Sequence, residues 1–227
     1  MFEPHLDLSD VPAHDSDRES KILSRCLAAL AVHVRSGCDE RAAAQCIWDG
    51  ADDNGIDAAY YDSGDNRVIL VQSKWIKKGS GEPEAADIGT FTKGVGDVVE
   101  QNCDDFHVRL HDRLTEISGR LRTPGVSVHV IVVSTGASKL ASHAMSRLNK
   151  LLVNLNGEDY QDDPIATYEV MGLSEVYASL VDDPLNGNLG LEATIFDWSY
   201  VASPYRALLE TDPDRRLSRA LRQDTAP

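Results

Sequence analysis

The sequence predicts an α/β fold: a mixed β-sheet built on a central hairpin and flanked by helices on both faces. Three observations carry that prediction. Residues 55–62 (GIDAAYYD) and 67–74 (RVILVQSK) are β-rich runs separated by Ser63, Gly64, Asp65 and Asn66, a hairpin signature. Both faces of both runs are fairly apolar, so the hairpin must be covered on each side. A third run, 126–134 (VSVHVIVVS), reads as a buried strand set between stretches of helical periodicity.

The elements follow in order. Residues 1–15, rich in Asp and Pro, read as an extended arm, 16–200 as one domain, and 201–227 as a polar C-terminal tail with Arg215, Arg216, Arg219 and Arg222. The tail is expected to be truncated or to begin a further region. Between Ser16 and Arg35, the residues Ile22, Leu23, Cys26, Leu27, Leu30 and Val34 form one apolar helical stripe. Ser16 with Glu19 fits a capping box at its start, and Gly37 lies just past its end. A second helix is expected over 39–48, stopped by Asp49-Gly50. After the hairpin, 76–88 is a polar loop with Gly79 and Gly81 that carries Lys77 and Lys78. A helical region spans 89–122, with a break expected near Gly94–Gly96. Beyond the 126–134 strand come a helix over 138–152, an acidic loop over 154–164, a strand over 166–170, a helix over 174–181 and a further strand over 191–198.

Composition bounds the function. The 227 residues include 37 acidic and 22 basic side chains, for a formal charge of −15, and the hydrophobic fraction of 42% suits a globular chain. So acidic a chain is a poor indiscriminate binder of polyanions, since nucleic-acid affinity comes mostly from Lys and Arg on phosphates. The first twenty residues lack a basic segment followed by an apolar one, and no apolar run is long enough for a membrane span. Cys26, Cys38, Cys46 and Cys103 form no CxxC pair. They read as reduced thiols, and a cytoplasmic location is expected.

The chemistry concentrates at the open end of the hairpin. If the four-residue turn makes Asp62 and Arg67 the last facing pair, Asp57 falls opposite Gln72, and Lys74 shares that face. The residues alone admit two readings. One is a metal-assisted phosphodiester site, with Asp57 and Gln72 holding a divalent cation and Lys74 acting on the phosphoryl group. The other is an Asp57–Lys74 ion pair bridging the strands, with Gln72 a spectator.

The run DGADDNGIDAAYYDSGDNRVILVQSKW, residues 49–75, resembles the restriction-endonuclease-like core of the PD-(D/E)XK superfamily, in the Mrr-like variant where Gln replaces the motif's acid. Its fuller pattern (Asp49-Gly50, Asp53, Gly55-Ile56-Asp57, then Gln72-Ser73-Lys74 and an aromatic) is most similar to the N-terminal region of the abortive-infection phage-resistance (AIPR) family. That resemblance implies a DNA endonuclease of bacterial anti-phage defence. Asp57 would be the metal-binding carboxylate, Gln72 the substituted acid and Lys74 the catalytic lysine, with Mg²⁺ or Mn²⁺ as cofactor. It also implies a three-stranded meander, of which two strands are evident, and a Glu from the first helix. Glu19 fits that place, against a capping role for the same residue, and Glu40 is a weaker rival. Asp53 is either a second metal ligand or a turn-capping Asp. Lys77 and Lys78 are candidate phosphate contacts. Members of the family are commonly longer, so these residues are expected to be the nuclease-like portion.

DNA is the expected partner, with RNA as the alternative, in a homodimer that presents two sites to a duplex. A phage-derived trigger or a downstream region is a further expected partner. The alternative reading is a catalytically inactive module of the same fold that binds nucleic acid or a phage component. Three further signals read as structural. Cys103, His107 and His111 would line one helix face, Ser134–Ser138 would form a strand-to-helix turn, and Gly94-Val95-Gly96 is a bare GxG.

Overall fold

The hairpin forms in the register its turn dictates. In the computed structural model, which describes residues 1–137, 139–157, 164–181, 195–200 and 205–209, β1 (Ala58–Asp62) and β2 (Arg67–Lys74) pair antiparallel, with Asp62 opposite Arg67 and Ala58 opposite Val71. Asp62 closes the turn by accepting from Gly64 N at 3.0 Å. The chain then crosses to β3 (Ser127–Ser134), which lies parallel to β2, and again to β4 (Ala166–Met171), parallel to β3. The result is a four-stranded mixed sheet in the order β1-β2-β3-β4. The hairpin is therefore not wholly central: β2 is interior, and β1 is the outer strand. Its free side is met by one antiparallel bridge, Ile47 to Ala58.

Alternation along the strands divides the core in two. Ala58, Ile69, Val71, Ile131 and Val133 face α1 (Arg18–Ser36), while Ala59, Val68, Leu70, Val130 and Val132 face the opposite layer. That layer is α3 (Ala85–Glu100), α4 (His111–Leu121) and α5 (Ser142–Asn156). The short α2 (Glu40–Gln45) lies against α1 and is capped by Asp39, whose carboxylate accepts from Ala42 N at 2.7 Å. Leu173–Val181 forms α6, which contributes Val176 to the α1 side. Gly37 ends α1 in the left-handed conformation (φ 67°), its N–H returning to the His33 carbonyl.

Several boundaries differ from expectation, each for a local reason. The N-cap of α1 is Asp17 rather than Ser16, so the Ser16–Glu19 capping box does not form. The break expected at Gly94–Gly96 lies instead at 101–110, because Gln101 takes a left-handed cap (φ 61°) and Asn102 N returns to the Asp97 carbonyl. Cys103 and His107 thus sit in a connector and His111 begins α4, so the three never share a helix face. The start of α5 is four residues late, since Ala137 N is held by the Gly81 carbonyl and Leu140 is buried. The 134–136 turn is likewise spoken for: Thr135 Oγ1 exchanges hydrogen bonds with the backbone of Ile76.

Residues 1–15 are docked rather than extended. A 3-10 turn at Glu3–His5 follows the buried Phe2, and Val11 is buried as well. The chain falls into two compact units, Met1–Val181 and Asp182–Pro227. Within the second, β5 (Ile195–Tyr200) pairs antiparallel with β6 (Tyr205–Leu209), so the boundary expected after residue 200 falls between paired strands. The remainder of the 201–227 tail, and most of the acidic 154–164 loop, lie outside the described residues. Among the described residues no helix is long and apolar enough to cross a membrane.

One ion pair ties α1 to the outer strand β4. Arg35 Nε donates to Glu169 Oε2 at 2.6 Å and its Nη2 to Oε1, while His129 on β3 approaches the same carboxylate at 3.4 Å. His129 and then Arg35 pull the Glu169 carboxyl down from its ordinary 4.5 to about 2. A lowered folded-state pKa stabilises the fold above the ordinary value, and this stabilisation is lost as pH falls through the window toward 2. Glu169→Gln is therefore expected to cost about 1 kcal/mol at pH 7. The gap to wild type should close on acidification, as read by urea denaturation across pH.

Candidate active site

The segment that joins α2 to β1 carries the acids, and its path is fixed by backbone geometry. Asp52 (φ 54°), Asn54 (φ 53°) and Gly55 (φ 75°) all take the left-handed conformation. Glycine is needed at 55 because a Cβ there would lie 2.8 Å from Phe91 N on α3. Gly94 receives the Asn54 carbonyl so closely that a Cβ at 94 would overlap it. Asn54 Nδ2 then donates to Asp97 Oδ2 at 2.6 Å, locking the loop to α3. At its far end Trp48 N and Asp49 N both donate to the Asp57 carbonyl, at 2.7 and 3.1 Å. Asp57 N donates to the Val71 carbonyl at 2.8 Å.

That path gathers three carboxylates. One oxygen each from Asp49, Asp53 and Asp57 lies within 4.8 Å of the others. Asp53 caps the turn, its two oxygens accepting from Gly50 N (3.0 Å) and Gly55 N (2.8 Å), and it also stands in the cluster. Asp57 Oδ2 accepts from Ser73 N and from Ser73 Oγ at 2.9 Å, where the next ladder carbonyl would stand. Among the described residues nothing hydrogen-bonds its Oδ1. Burial, and after it the carboxylates of Asp49 and Asp53, hold Asp57 well above the ordinary carboxylate range despite Ser73. Burial also raises Asp53, against the two amides it accepts from.

The β1–β2 pairing ends at Ala58 and Val71, one residue short of Asp57 and Gln72, and Gln72 is 8% exposed. Its Oε1 is shut off from solvent and has no hydrogen-bond partner among the described residues. An orphaned buried amide oxygen is costly, and it is the hard donor that Mg²⁺ or Mn²⁺ accepts. The three clustered carboxylates are the oxygen donors that such an ion takes, and the Gln72 oxygen lies on the neighbouring strand.

Other expected site residues lie elsewhere. Lys74 is exposed, and its Nζ pairs with Asp87 Oδ2 of α3 at 2.9 Å. The Asp57–Lys74 ion pair therefore does not form: Asp57 turns along the strand edge to serve Ser73, and Lys74 turns to the helix. Glu19 stands exposed in the first turn of α1, outside the acid cluster. Glu40, half-buried at the start of α2, is outside it too. Lys77 and Lys78 are exposed on the loop after β2.

Where an acid from the first helix was expected, the structure places a cation. Arg25 is 2% exposed; its Nε donates to Asp49 Oδ2 at 2.7 Å and its two other nitrogens grip Asp10 at 2.8 and 2.7 Å. Burial works against its charge, but the hydrogen bonds to Asp10 and Asp49 outweigh that and raise its pKa. Arg109 Nη2 donates to the Trp48 and Asp49 carbonyls, at 3.2 and 3.0 Å. Sequence reasoning missed Arg25 and treated Asp49 mainly as a helix stop, although the acid density of DGADDNGID was the available signal for Asp49.

No family model matches this chain, and neither a curated protein nor a solved structure does.

Two outcomes are expected. Gly94→Ala should displace the Asn54 carbonyl and cost about 1–3 kcal/mol, seen as a lowered denaturation midpoint. Asp57→Asn should instead raise the stability of EDTA-treated protein by about 1 kcal/mol at pH 7, because it removes one of three crowded carboxylates and keeps an acceptor for Ser73. The sign follows from proton binding. The folded chain holds the Asp57 proton more tightly than the unfolded one, so wild-type stability falls as pH rises above the ordinary carboxylate value, and the variant lacks that slope.

Proposed function

We propose that this chain is a metal-dependent endonuclease module with a restriction-endonuclease-like core of the Gln-x-Lys type, acting on DNA in bacterial anti-phage defence of the AIPR kind. The observation that carries the reading is the cluster of Asp49, Asp53 and Asp57 on the segment that enters the hairpin, whose strand β2 holds the orphaned, buried Gln72 Oε1. Support comes also from the order of elements. A helix precedes an antiparallel hairpin, helices then cross to a parallel third strand, and the Ile47–Ala58 bridge lies where the first strand of a meander would run.

Asp57, Gln72, Asp53 and Asp49 are the residues that would hold Mg²⁺ or Mn²⁺. When bound, such an ion supplies an acidified water and neutralises charge on the phosphoryl oxygens. The remaining roles belong to the chain itself. Ser73 orients Asp57 through two hydrogen bonds, and Arg25 orients Asp49. Lys74, on the same strand face as Gln72, offers its ammonium to a phosphoryl oxygen once it leaves Asp87. Lys77 and Lys78 on the following loop meet the backbone, and two copies of the chain serve the two strands of a duplex.

A second reading is a quiet module that binds nucleic acid or a phage component without cutting it. Its favouring observation is the Lys74–Asp87 pair, which holds the ammonium on α3, 2.9 Å from a carboxylate of its own. Incubation with supercoiled plasmid and Mg²⁺ or Mn²⁺ separates the two. The nuclease reading expects nicking that EDTA stops and that Lys74→Ala lowers by about 100-fold. Nicking that persists unchanged in Lys74→Ala overturns it, and binding without turnover establishes the second reading.

A further inference from the structure

The cations beside the acid loop are covered by carboxylates from the chain's own N-terminal arm. The arm is fastened at both ends by apolar side chains, Phe2 (5% exposed, its ring edge-on to His33) and Val11 (4%), and by Arg18 Nη1 donating to the Val11 carbonyl at 2.6 Å. Between and just beyond these anchors, Asp10 and Asp15 are the acids that meet these cations. Asp10 grips the Arg25 guanidinium with both oxygens and lies 3.8 Å from Arg109 Nη1. Asp15 takes Lys21 Nζ at 2.7 Å. Lys21, Arg25 and Arg109, with His107, line a cavity of about 490 Å³ whose wall continues into Asp49 and Gly50.

The chemistry of this cavity differs from that of an ordinary surface ion pair. Arg25 is almost wholly buried, and its fork presents two parallel donors to one planar anion, the geometry by which guanidinium takes a carboxylate or a phosphodiester alike. The Asp49 carboxylate takes the Nε side, the Asp49 and Asp7 carbonyls accept further bonds from the two other nitrogens, and Asp10 is the anion on the fork. The anion on the fork comes from the arm, and at 32% side-chain exposure it is open to exchange. Gly50 is part of the same construction, since a Cβ there would overlap the Arg109 guanidinium.

The geometry points to a phosphate subsite formed by Arg25, Lys21 and Arg109, which a nucleic-acid phosphate adjoining the scissile bond occupies in place of Asp10 and Asp15 of the arm. The inference rests on the nuclease reading and deepens it: the arm is an internal competitor that keeps the cationic wall neutral until a polyanion displaces it. Only the acids exchange, so the apolar anchors Phe2 and Val11 can stay seated.

Fluorescence anisotropy with a labelled 20-base-pair duplex, in EDTA, tests the subsite through binding alone. Asp10→Asn and Asp15→Asn in the full chain, singly and together, are expected to tighten binding about three- to ten-fold and to steepen the salt dependence by about one phosphate contact. Asp65→Asn in the hairpin turn sets the size of the generic effect of removing a charge, and the gain should vanish when Arg109→Gln and Lys21→Gln are added. Asp15→Asn touches no buried group, so the test survives if Asp10→Asn misfolds by circular dichroism. Gains no larger than that of Asp65→Asn, or gains that persist without Arg109 and Lys21, overturn the subsite. A gain in binding with no Mg²⁺-dependent nicking keeps the subsite and sinks only the nuclease reading, whereas no binding by any form overturns both.

Discussion

A guanidinium cannot shed its proton at any physiological pH, so a chain that buries one must surround it with acceptors. Arg25 is that constraint here. Its donors reach Asp49 Oδ2, the Asp49 carbonyl, the Asp7 carbonyl and both oxygens of Asp10, all between 2.7 and 3.0 Å. These acceptors come from two segments far apart in sequence, the arm and the acid loop, and α1 carries the group that joins them. The dependence is mutual. Asp49 stands in a cluster of carboxylates, and Arg25 is the cation paired with it. The docking of the arm and the gathering of the acids are one electrostatic unit.

The sheet supplies the other half of the framework. Strand β2 is interior and buried on both faces, so its register cannot slip by one residue without driving Arg67 or Lys74 inward. That register sets Val71 opposite Ala58 and leaves Lys74 at the strand's exposed end. The acid loop is held on the other side by α3, through the Gly94–Asn54 and Gly55–Phe91 approaches. Backbone amides of the loop hold Asp53, while Asp57 and Asp49 take side-chain partners from other segments, Ser73 and Arg25.

What the sequence made legible follows from range. The hairpin register was readable because a four-residue turn and period-two alternation are local, and Asp62 opposite Arg67 came out as the turn implies. The clustering of Asp53 and Asp57 was readable because the motif is contiguous. The orientation of Asp57 was not: it is set by Ser73 N–H needing an acceptor where the ladder ends, sixteen residues away in sequence. The continuity of α3 through Gly94 was hidden because that glycine answers to the Asn54 carbonyl and not to helix propensity. Arg25 was illegible for a related reason. One arginine beside an apolar stripe looks solvated until the partners that bury it, Asp10 and Asp49, are brought in by tertiary structure.

The formal charge of −15 then acquires a spatial meaning. The cations nearest the acid loop are already matched: Arg25 to Asp10 and Asp49, Lys21 to Asp15, and Lys74 to Asp87. A polyanion approaching this face meets few unpaired cations and must exchange with internal carboxylates, so attraction at a distance is weak whatever contacts follow. Under the proposed function, specificity for the site comes less from steering than from what the site alone offers. The acid cluster is repulsive by itself, and the orphaned Gln72 oxygen is unsatisfied by itself. A divalent cation among the acids would answer that repulsion, and beside a chain so acidic it would also be a strong positive charge for a phosphate at this face.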